Sequence, residues 1–526
     1  MRLWERKGDF LKLIISSMSE KRAGKVVSVT DIGSNFVRMG VYQAGKGGVQ
    51  RLDYLEVPLR LGHEVFATGR ISVSTVRQLS SILRGYAQVM KEYGVTEYRA
   101  IATTAMREAK NRAYVLDQLR IQNNLVVEVL EDGEESSLVY SALCRSPLLR
   151  EESLLSYVGT GSVGLAVWRQ GAVDLSCNLT IGFLKLSEML RGQEELTARF
   201  YRVLEEYVEN YFQRVALRLD GQTFSRILLS GRQLDSIAAL CGGREEKGAL
   251  VVERRQLEEM YALLKGMNAS TVAREMQLSE EVADQIAPML AIYRRMLDIT
   301  QAKKLVAPPV NLMEILAAQL LLPAEKAAFE QAQRAGAVAS SRRLALREGA
   351  DAAHAERVRS VSVLLFGKLK KLHGINAKRL VLLECAALLH ELGHRANVKD
   401  EAQAAYDLIK SSYIYGLDDE ETMLVAEIAR YGNPHRTPDA DRPLPEKQRL
   451  LVDKLAAIMG LADALDITRK GRISDLKVRL EEDKLAVTAA ARDDLLLEKW
   501  AFQEGGAFFE DAFGIRPVLT HKSLLL

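Results

Sequence analysis

Residues 26–45 read VVSVTDIGSNFVRMGVYQAG, and this stretch predicts two β-strands joined by a tight turn. The first strand is expected from Val26 to Thr30, where the residues are mostly apolar and β-branched, and the second from Val37 to Tyr42. The turn between them, DIGSN at residues 31–35, consists of glycine and small polar residues with an aspartate at its start. Backbone N–H groups in such a turn can cradle an anion, and a carboxylate beside it can hold a divalent cation.

A second stretch, SLLSYVGTGSVGLAVWRQGAV at residues 153–173, repeats this order of strand, small-residue turn and strand. Between the two stretches, helical spacing over residues 74–93 and short apolar runs over residues 99–103 and 126–130 alternate along the chain. Alternating strands and helices indicate an α/β fold. Because the turn recurs at an equivalent place in each half, we expect two phosphate-binding turns that face one another across a cleft.

The composition is that of a globular protein. Of the 526 residues, 48 % are hydrophobic and 27 % are charged, which argues against disorder as the main state. The 72 Lys and Arg residues nearly balance the 69 Asp and Glu residues, which leaves a net charge of +3. A general nucleic-acid binder usually carries a clear basic excess, so DNA is not an expected partner.

The cysteines and the N-terminal residues indicate a cytoplasmic protein. The four cysteines are far apart and lack C-x-x-C spacing, so we expect reduced thiols and neither a disulfide framework nor a cysteine zinc site. The apolar run from Phe10 to Ile15 is too short for a membrane helix, and no small-residue cleavage site follows it. We therefore expect no integral membrane segment and interpret residues 1–25 as an amphipathic or frayed leader, with a weak membrane-surface role left open.

The pattern changes along the chain and predicts several domains. After the leader, α/β patterns fill residues 26–150 and again residues 151–320, with helices expected over 186–219 and 253–300. Leu-rich and Ala-rich helical periodicity then dominates residues 321–472, and an alternating, hairpin-like pattern opens a short α+β piece at residues 473–526.

Several motifs of the chain resemble those of the Ppx/GppA family of exopolyphosphatases and guanosine pentaphosphate phosphohydrolases. They are DIGSN at 31–35, ATTAMREAKN at 102–111, EDGEES at 131–136, TIGFLKL at 180–186 and Ser230-Gly231. The resemblance covers the chain from about Val26 onward. It implies two ribonuclease-H-like (actin-like) α/β halves, then an all-α HD-like domain and a small α+β piece.

The resemblance also implies a reaction, the release of terminal phosphate from polyphosphate or from guanosine pentaphosphate by a homodimer. The implied partners are polyphosphate and guanosine penta- or tetraphosphate. Glu135 is implied to be the general base on the attacking water. Mg²⁺ or another divalent cation is implied to bind Asp31 and Glu135. The residues implied to contact phosphate are Gly33, Ser34, Asn35, Arg107, Gly159, Gly161 and Ser162. These residue types suit phosphoryl transfer, which requires positioning and neutralisation of charge more than covalent help.

The second turn departs from the family pattern D-x-G-G-G-S-T-E. Tyr157 stands in place of the aspartate, Thr160 in place of a glycine, and Gly164 in place of a carboxylate, while Met313 stands where an arginine is common. A neutral tyrosine hydroxyl is a poor substitute for a metal-binding carboxylate. The sequence therefore fits either a phosphohydrolase with weakened activity or a non-catalytic sensor of the same anions.

The helical region carries histidines in the order of an HD-type phosphohydrolase. His354, the pair His390-Glu391 and Asp463 follow that order, with glutamate in place of the aspartate of the HD pair, and further histidine ligands are missing. His394 and His435 do not have the spacing to replace them. We interpret these histidines as packed or hydrogen-bonded within a helical bundle, the alternative being an HD hydrolase with a regulatory N-terminal half. The basic residues that could line a channel for a polyanion are Lys368, Lys370, Lys371, Lys378, Arg379 and Arg395.

Overall fold

The computed structural model describes residues 24–150, 152–191, 197–231, 234–394, 400–432 and 442–524. The predicted leader lies outside these residues except for its last two positions, and Arg395 and His435 also lie outside them. The strands are β1 (Val26–Ile32), β2 (Phe36–Gly45), β3 (Gly48–Pro58), β4 (Glu97–Ala102), β5 (Val127–Val129), β6 (Glu152–Val158), β7 (Val163–Arg169), β8 (Ala172–Leu179), β9 (Ile227–Gly231), β10 (Arg244–Glu246), β11 (Ala249–Glu253), β12 (Lys304–Ala307), β13 (Ile473–Leu480), β14 (Lys484–Ala491) and β15 (Arg516–Ser523).

Helices precede, connect and follow these strands. They are α1 (Leu61–Thr68), α2 (Val73–Glu92), α3 (Thr104–Glu108), α4 (Arg112–Asn123), α5 (Asp132–Leu143), α6 (Phe183–Met189), α7 (Thr197–Leu219), α8 (Leu234–Leu240), α9 (Arg254–Leu264), α10 (Ala269–Glu275), α11 (Glu280–Thr300), α12 (Leu312–Leu321), α13 (Pro323–Arg347), α14 (Ala352–Lys368), α15 (Lys370–His373), α16 (Leu380–Leu389), α17 (Glu401–Lys410), α18 (Asp419–Tyr431), α19 (Glu446–Ala464) and α20 (Leu496–Phe513).

The first sheet has the strand order β3-β2-β1-β4-β5 and is built around β1. Strand β1 pairs antiparallel with β2, which places Asp31 opposite Arg38, and parallel with β4. Every residue of β1 is buried, as expected for a strand covered on both faces. Val26 and Ile32 pack in one apolar cluster, and Val27 and Val29 pack in another. Because successive side chains of a strand point to opposite faces of the sheet, β1 contributes to the core on each face.

The second sheet has the order β10-β11-β12-β9-β6-β7-β8 and contains the predicted repeat. Strands β6 and β7 flank the second small-residue turn just as β1 and β2 flank the first, which confirms the repeat. The single helix predicted over residues 186–219 is wrong, because α6 ends at Met189 and α7 starts at Thr197. Gly182 precedes α6 directly and starts it earlier than the apolar periodicity indicated.

The described residues form two compact units. The first comprises described residues within Met1–Pro147, Ser156–Val163 and Leu179–Glu330, and the second those within Leu148–Leu155, Gly164–Asn178 and Gln331–Leu526. The second unit contains the expected helical region, whose core lies among α14, α16, α18 and α19, and a sheet of order β13-β14-β15. The boundaries expected near residues 150, 320 and 472 stay a prediction.

Helices long and apolar enough to cross a membrane are absent from the described part of the chain. The four cysteines are all free thiols, as expected from their spacing. Burial raises the pKa of the Cys385 thiol to about 12, so this cysteine stays protonated and unreactive at neutral pH.

Candidate active site

The two predicted turns lie together in the first unit and share one geometry. The Gly33 N–H donates to the carbonyl of Phe36 at 3.0 Å, and the Gly159 N–H donates to the carbonyl of Ser162 at 2.8 Å. In each turn the glycine N–H is therefore hydrogen-bonded to the carbonyl of the residue three positions later in the chain. The hydroxyls of Ser34 and Thr160 are hydrogen-bonded at 2.8 Å and join one turn to the other. The threonine that departs from the family pattern thus has a structural role that the sequence did not reveal.

Tyr157 occupies in the second turn the place that Asp31 occupies in the first, because each stands two residues before the turn glycine. The Tyr157 hydroxyl donates to Oε1 of Glu135 at 2.6 Å, and both residues are buried. Glu135 lies in the first turn of α5, directly after β5 and a short connection. The structure therefore brings the predicted base into contact with the residue that replaces a carboxylate.

The electrostatics of Glu135 favour a carboxylate that gains and loses a proton near neutral pH. Burial raises its pKa to about 7, although the Arg107 guanidinium and the Tyr157 hydroxyl both lower it. A pKa close to the operating pH is the property that a general base needs. Burial also raises the pKa of Asp31, to about 6, against the lowering effect of Arg38.

Arg107 lies beside Glu135 and is held by the protein itself. Its guanidinium donates to the carbonyl of Leu130, to the carboxylate of Asp132 and, at 3.1 Å, to the hydroxyl of Thr104. One of its nitrogens is 3.8 Å from Oε2 of Glu135. In this arrangement Arg107 stabilises the ionised form of Glu135, and its contact with phosphate stays a prediction.

A cavity of about 410 Å³ opens beside the two turns. Asn35, Tyr157 and Thr160 contribute to its wall, and the charged residues of the described lining are Asp31, Arg38, Glu56 and Asp235. Arg38, the sole cation among them, has a nitrogen 3.6 Å from Asp31 and another 2.5 Å from Glu56. Sequence reasoning missed this arginine, although it is the only charged residue in β2 and lies opposite Asp31 in the hairpin register.

The second turn leaves no room for side chains at two glycines. A Cβ on Gly161 would clash with the methyl group of Thr104 and lie 3.1 Å from the Phe66 ring. A Cβ on Gly182 would clash with the backbone of Thr160 and Gly161. Thr160 in turn accepts the first helical N–H groups of α6 through its carbonyl, from Leu184 and Lys185, both at 3.1 Å. The turn is therefore fixed by close backbone approach.

Two buried carboxylates, one on the cavity wall and one hydrogen-bonded to Tyr157, fit a divalent cation bound through oxygen. Asp31 and Glu135 offer buried carboxylates, hard oxygen donors of the kind that Mg²⁺ prefers. Burial makes the ionised form of both carboxylates costly, as their raised pKa values show, and a bound cation offsets that cost. The acidic lining, with a single arginine, also indicates that an anion needs an added positive charge to bind here.

Two family models match this chain. The description of the first is the Ppx/GppA phosphatase family, matched over residues 40–319, and that of the second is domain III of Ppx/GppA phosphatases, matched over residues 338–501. The first match alone covers more than half of the chain. The chain belongs to the Ppx/GppA phosphatase family.

Relatives of this Ppx/GppA chain include enzymes with assigned names. It is 25 % identical over 269 residues to exopolyphosphatase 1 of Mycobacterium leprae, which covers 49 % of this chain and 79 % of that protein. It is 23 % identical over 267 residues to exopolyphosphatase 1 of Mycobacterium tuberculosis, which covers 49 % of this chain and 78 % of that protein. A solved exopolyphosphatase structure from Cytophaga hutchinsonii has a TM-score of 0.50 at 14 % identity, and covers 56 % of this chain and 97 % of that one. This likeness shows the fold, the expected ribonuclease-H-like (actin-like) α/β fold.

The family assignment makes the departure at Tyr157 the main feature of the site. The fold of the family is present, and Tyr157 is hydrogen-bonded to Glu135, the predicted general base. Met313, the second departure, is buried in an apolar cluster and lines the cavity, where it presents an apolar side chain in place of the arginine's charge.

Within the part that matches domain III, the HD-like residues converge in the second unit. The imidazole of His354 is 2.8 Å from Asp466 and 3.0 Å from Asp463, and Nε2 of His390 is 3.6 Å from the same oxygen of Asp463. Burial lowers the pKa of His354, but hydrogen bonds to the two aspartates dominate and raise it to about 9. His394 is half exposed and pairs with Glu401. The hydrogen bonding expected of these histidines is therefore observed at His354.

The basic residues expected to line a channel lie near the ends of helices in the second unit. Lys368 and Lys370 are exposed around the junction of α14 and α15, as are Lys371 and Lys378 nearby. Arg379 is half-buried and pairs with Glu421 at 3.1 Å. A role in binding a polyanion stays a prediction for these residues.

Proposed function

We propose that this chain hydrolyses the terminal phosphoanhydride bond of inorganic polyphosphate and releases orthophosphate. The observation that carries the proposal is Glu135: a buried carboxylate with a pKa near neutral, one oxygen of which is held by Tyr157. Its other oxygen, Oε2, has no hydrogen-bond partner among the described residues. The name of the mycobacterial relatives supports polyphosphate as the substrate.

In the proposed reaction, Glu135 orients a water molecule through Oε2 and takes its proton as the water attacks the terminal phosphorus. The bond from that phosphorus to the bridging oxygen breaks, and its electron pair stays on the shortened chain. Tyr157 keeps the carboxylate in one rotamer by its hydrogen bond to Oε1. The tyrosine is thus a positioning residue for the base.

The charge of the substrate is offset in two ways. Arg38, on the wall of the cavity, attracts the phosphate oxygens, and we propose that Asp31 and Glu135 would hold a Mg²⁺ ion. A bound Mg²⁺ would supply charge stabilisation to the phosphate as negative charge shifts to the leaving oxygen. The backbone of the two turns, fixed at Gly33 and Gly159, positions the substrate between them.

The experiment is a phosphate-release assay with Mg²⁺ on the full chain, with polyphosphate in one arm and guanosine pentaphosphate in the other. Release from polyphosphate, lost in Glu135→Gln, is the expected result. Release of phosphate from guanosine pentaphosphate but not from polyphosphate would show that the nucleotide is the substrate and would leave the proposed reaction, hydrolysis of a phosphoanhydride bond, in place. Equal and negligible phosphate release by wild type and Glu135→Gln would overturn the proposal that this chain is an enzyme.

A second candidate function is a non-catalytic sensor of the same anions, favoured by the loss of the carboxylate at Tyr157. The sensor predicts tight binding of polyphosphate without turnover, and Tyr157→Asp separates the two functions. A large gain in phosphate release in that variant, from a negligible wild-type rate, would indicate a metal site that has decayed. The homodimer implied by the family resemblance is tested in the same preparation by light scattering.

A further inference from the structure

The second unit contains a cluster of polar side chains that the proposed reaction does not use. His354 lies in the first turn of α14, His390 and Glu391 directly follow α16, and Asp463 lies in the last turn of α19. His354, Glu391 and Asp463 are buried, and the side chain of His390 is 11 % exposed. Four ionisable groups, on two helices and directly after a third, thus meet at one place within the second unit.

The hydrogen bond made by one nitrogen of His390 determines what the other can do. Its Nδ1 is 2.8 Å from the carbonyl oxygen of Ala387, which can only accept, so Nδ1 carries the proton. In the neutral ring Nε2 then presents a lone pair, and this atom is buried with no hydrogen-bond partner among the described residues. It faces Oδ1 of Asp463 at 3.6 Å. Because the Nε2 lone pair of His390 and the carboxylate of Asp463 are both electron donors, their facing arrangement favours a cation between them.

His354, like His390, has one ring nitrogen held by a neighbouring oxygen and the other directed into the cluster. Its Nδ1 is 2.8 Å from Oδ2 of Asp466, and Nε of Arg357 donates to that same oxygen at 2.7 Å. Its Nε2 is directed at Asp463, 3.0 Å away, and at Glu391, 3.9 Å away. A ring nitrogen held by a carboxylate or a backbone carbonyl, with the second nitrogen directed inward, is the arrangement that surrounds metal-bound histidines.

The distances also suit a small cation. One ligand atom from each of His354, His390 and Glu391 lies within 4.8 Å of the other two. Metal bonds of about 2.0–2.2 Å place neighbouring ligand atoms of a tetrahedral site about 3.4 Å apart. The 3.0, 3.6 and 3.9 Å separations above bracket that value. Two imidazoles with carboxylates favour Zn²⁺, Mn²⁺ or Fe²⁺ over Mg²⁺ and Ca²⁺.

We propose that His354, His390, Glu391 and Asp463 bind one divalent first-row transition metal, at a site distinct from the two phosphate turns. Asp466 and the Ala387 carbonyl orient the two imidazoles and do not bind the metal. In the metal-free cluster the guanidinium of Arg469 lies 2.5 Å from Oε1 of Glu391, and its side chain is 42 % exposed. Metal binding replaces this contact, and the exposed arginine can turn toward solvent.

The test uses the full chain with Asp31→Asn and Glu135→Gln, which remove the carboxylates proposed to hold Mg²⁺. The protein is stripped with a chelator, equilibrated with Zn²⁺, desalted and analysed for metal by mass spectrometry. One zinc per chain is expected, and its loss is expected in His390→Gln. His394→Gln, an exposed histidine four residues along that pairs with Glu401, is the matched control and should retain the metal.

Two further measurements guard against a misfolded variant. Asp466→Asn keeps every proposed ligand and should weaken Zn²⁺ binding about 10- to 100-fold, because it removes the partner that orients His354. Co²⁺ added to the stripped parent should give the visible absorption of a nitrogen- and oxygen-ligated ion, absent in His390→Gln with an unchanged circular dichroism spectrum. Failure of the stripped parent to retain Zn²⁺, or equal retention by the parent and a folded His390→Gln, would overturn the site and show a metal-free ion-pair network. Neither result bears on phosphate release at the first site.

Discussion

Tyr157→Phe isolates the hydroxyl that this chain has in place of a carboxylate. The variant removes one hydrogen bond, the 2.6 Å contact with Oε1 of Glu135, and leaves the aromatic ring in its buried site. Because that bond favours the ionised carboxylate, its loss raises the pKa of Glu135 above its present value of about 7. The active form of the base is the ionised one, so the rate at neutral pH should fall.

The size of the effect follows from the charge on the acceptor. A hydrogen bond to a charged group contributes about 1.5–3 kcal/mol, and 1.36 kcal/mol corresponds to one pKa unit. The acidic limb of the pH–rate profile should therefore move up by about one to two pH units. Because wild type is half ionised near pH 7, the rate there should fall about 5- to 50-fold. At alkaline pH the ionised fraction recovers, and the rate of the variant should approach that of wild type.

The assay is kcat/KM for phosphate release from polyphosphate across the pH range at constant Mg²⁺. Tyr293→Phe is the matched control, because Tyr293 is also fully buried in the first unit and its hydroxyl has no hydrogen-bond partner among the described residues. The control should keep the wild-type profile. An unshifted acidic limb in Tyr157→Phe, or the same shift in both variants, would refute the role given to the tyrosine.

Three other changes test separate parts of the site. Because burial raises the pKa of Glu135 from 4.5 to about 7, the metal-free wild type loses stability as pH rises through that window. In calorimetry, Glu135→Gln should be more stable than wild type by up to about 3 kcal/mol near pH 8 and by much less near pH 5. A gain in stability that is independent of pH would contradict this prediction. Arg38→Met removes the cation of the described cavity wall. In steady-state kinetics it should raise KM for polyphosphate about 10-fold or more, with a smaller change in kcat. An unchanged KM would show that Arg38 does not contact the substrate. Gly161→Ala introduces a Cβ that clashes with Thr104 and should destabilise the fold by about 1–3 kcal/mol. Its control, Gly85→Ala on an exposed helix face with open space, should be neutral or stabilising by up to about 1 kcal/mol in the same denaturation series.

Sequence patterns predicted the parts of this fold that depend on local periodicity. The strands on both sides of each turn are readable from their apolar, β-branched residues, and the turns from their glycines. The recurrence of strand, small-residue turn and strand at residues 26–45 and 153–173 predicted two similar α/β halves, and the resemblance to the family implied the duplicated fold. Helix ends were less predictable, because α6 begins directly after Gly182, which must pack against the second turn, a tertiary requirement.

The contacts within the site could be predicted only in part. The motifs placed Glu135 and Tyr157 in the same site, but their hydrogen bond depends on the tertiary placement of α5 and β6, and no spacing in the sequence encodes that. Arg38 could have been found from the hairpin register, which pairs it with Asp31. The order of His354, His390 and Asp463 along the chain was visible, whereas the inward direction of their nitrogens depends on Ala387 and Asp466.

The proposed function depends on Glu135 as the base of a working phosphohydrolase. It is tested most directly by measuring polyphosphate binding and phosphate release side by side, with Mg²⁺, in wild type and Glu135→Gln. Both proteins should bind polyphosphate with similar Kd, while kcat should fall about 100- to 10,000-fold in the variant. Equal release of orthophosphate by the two proteins, with binding intact, would contradict it.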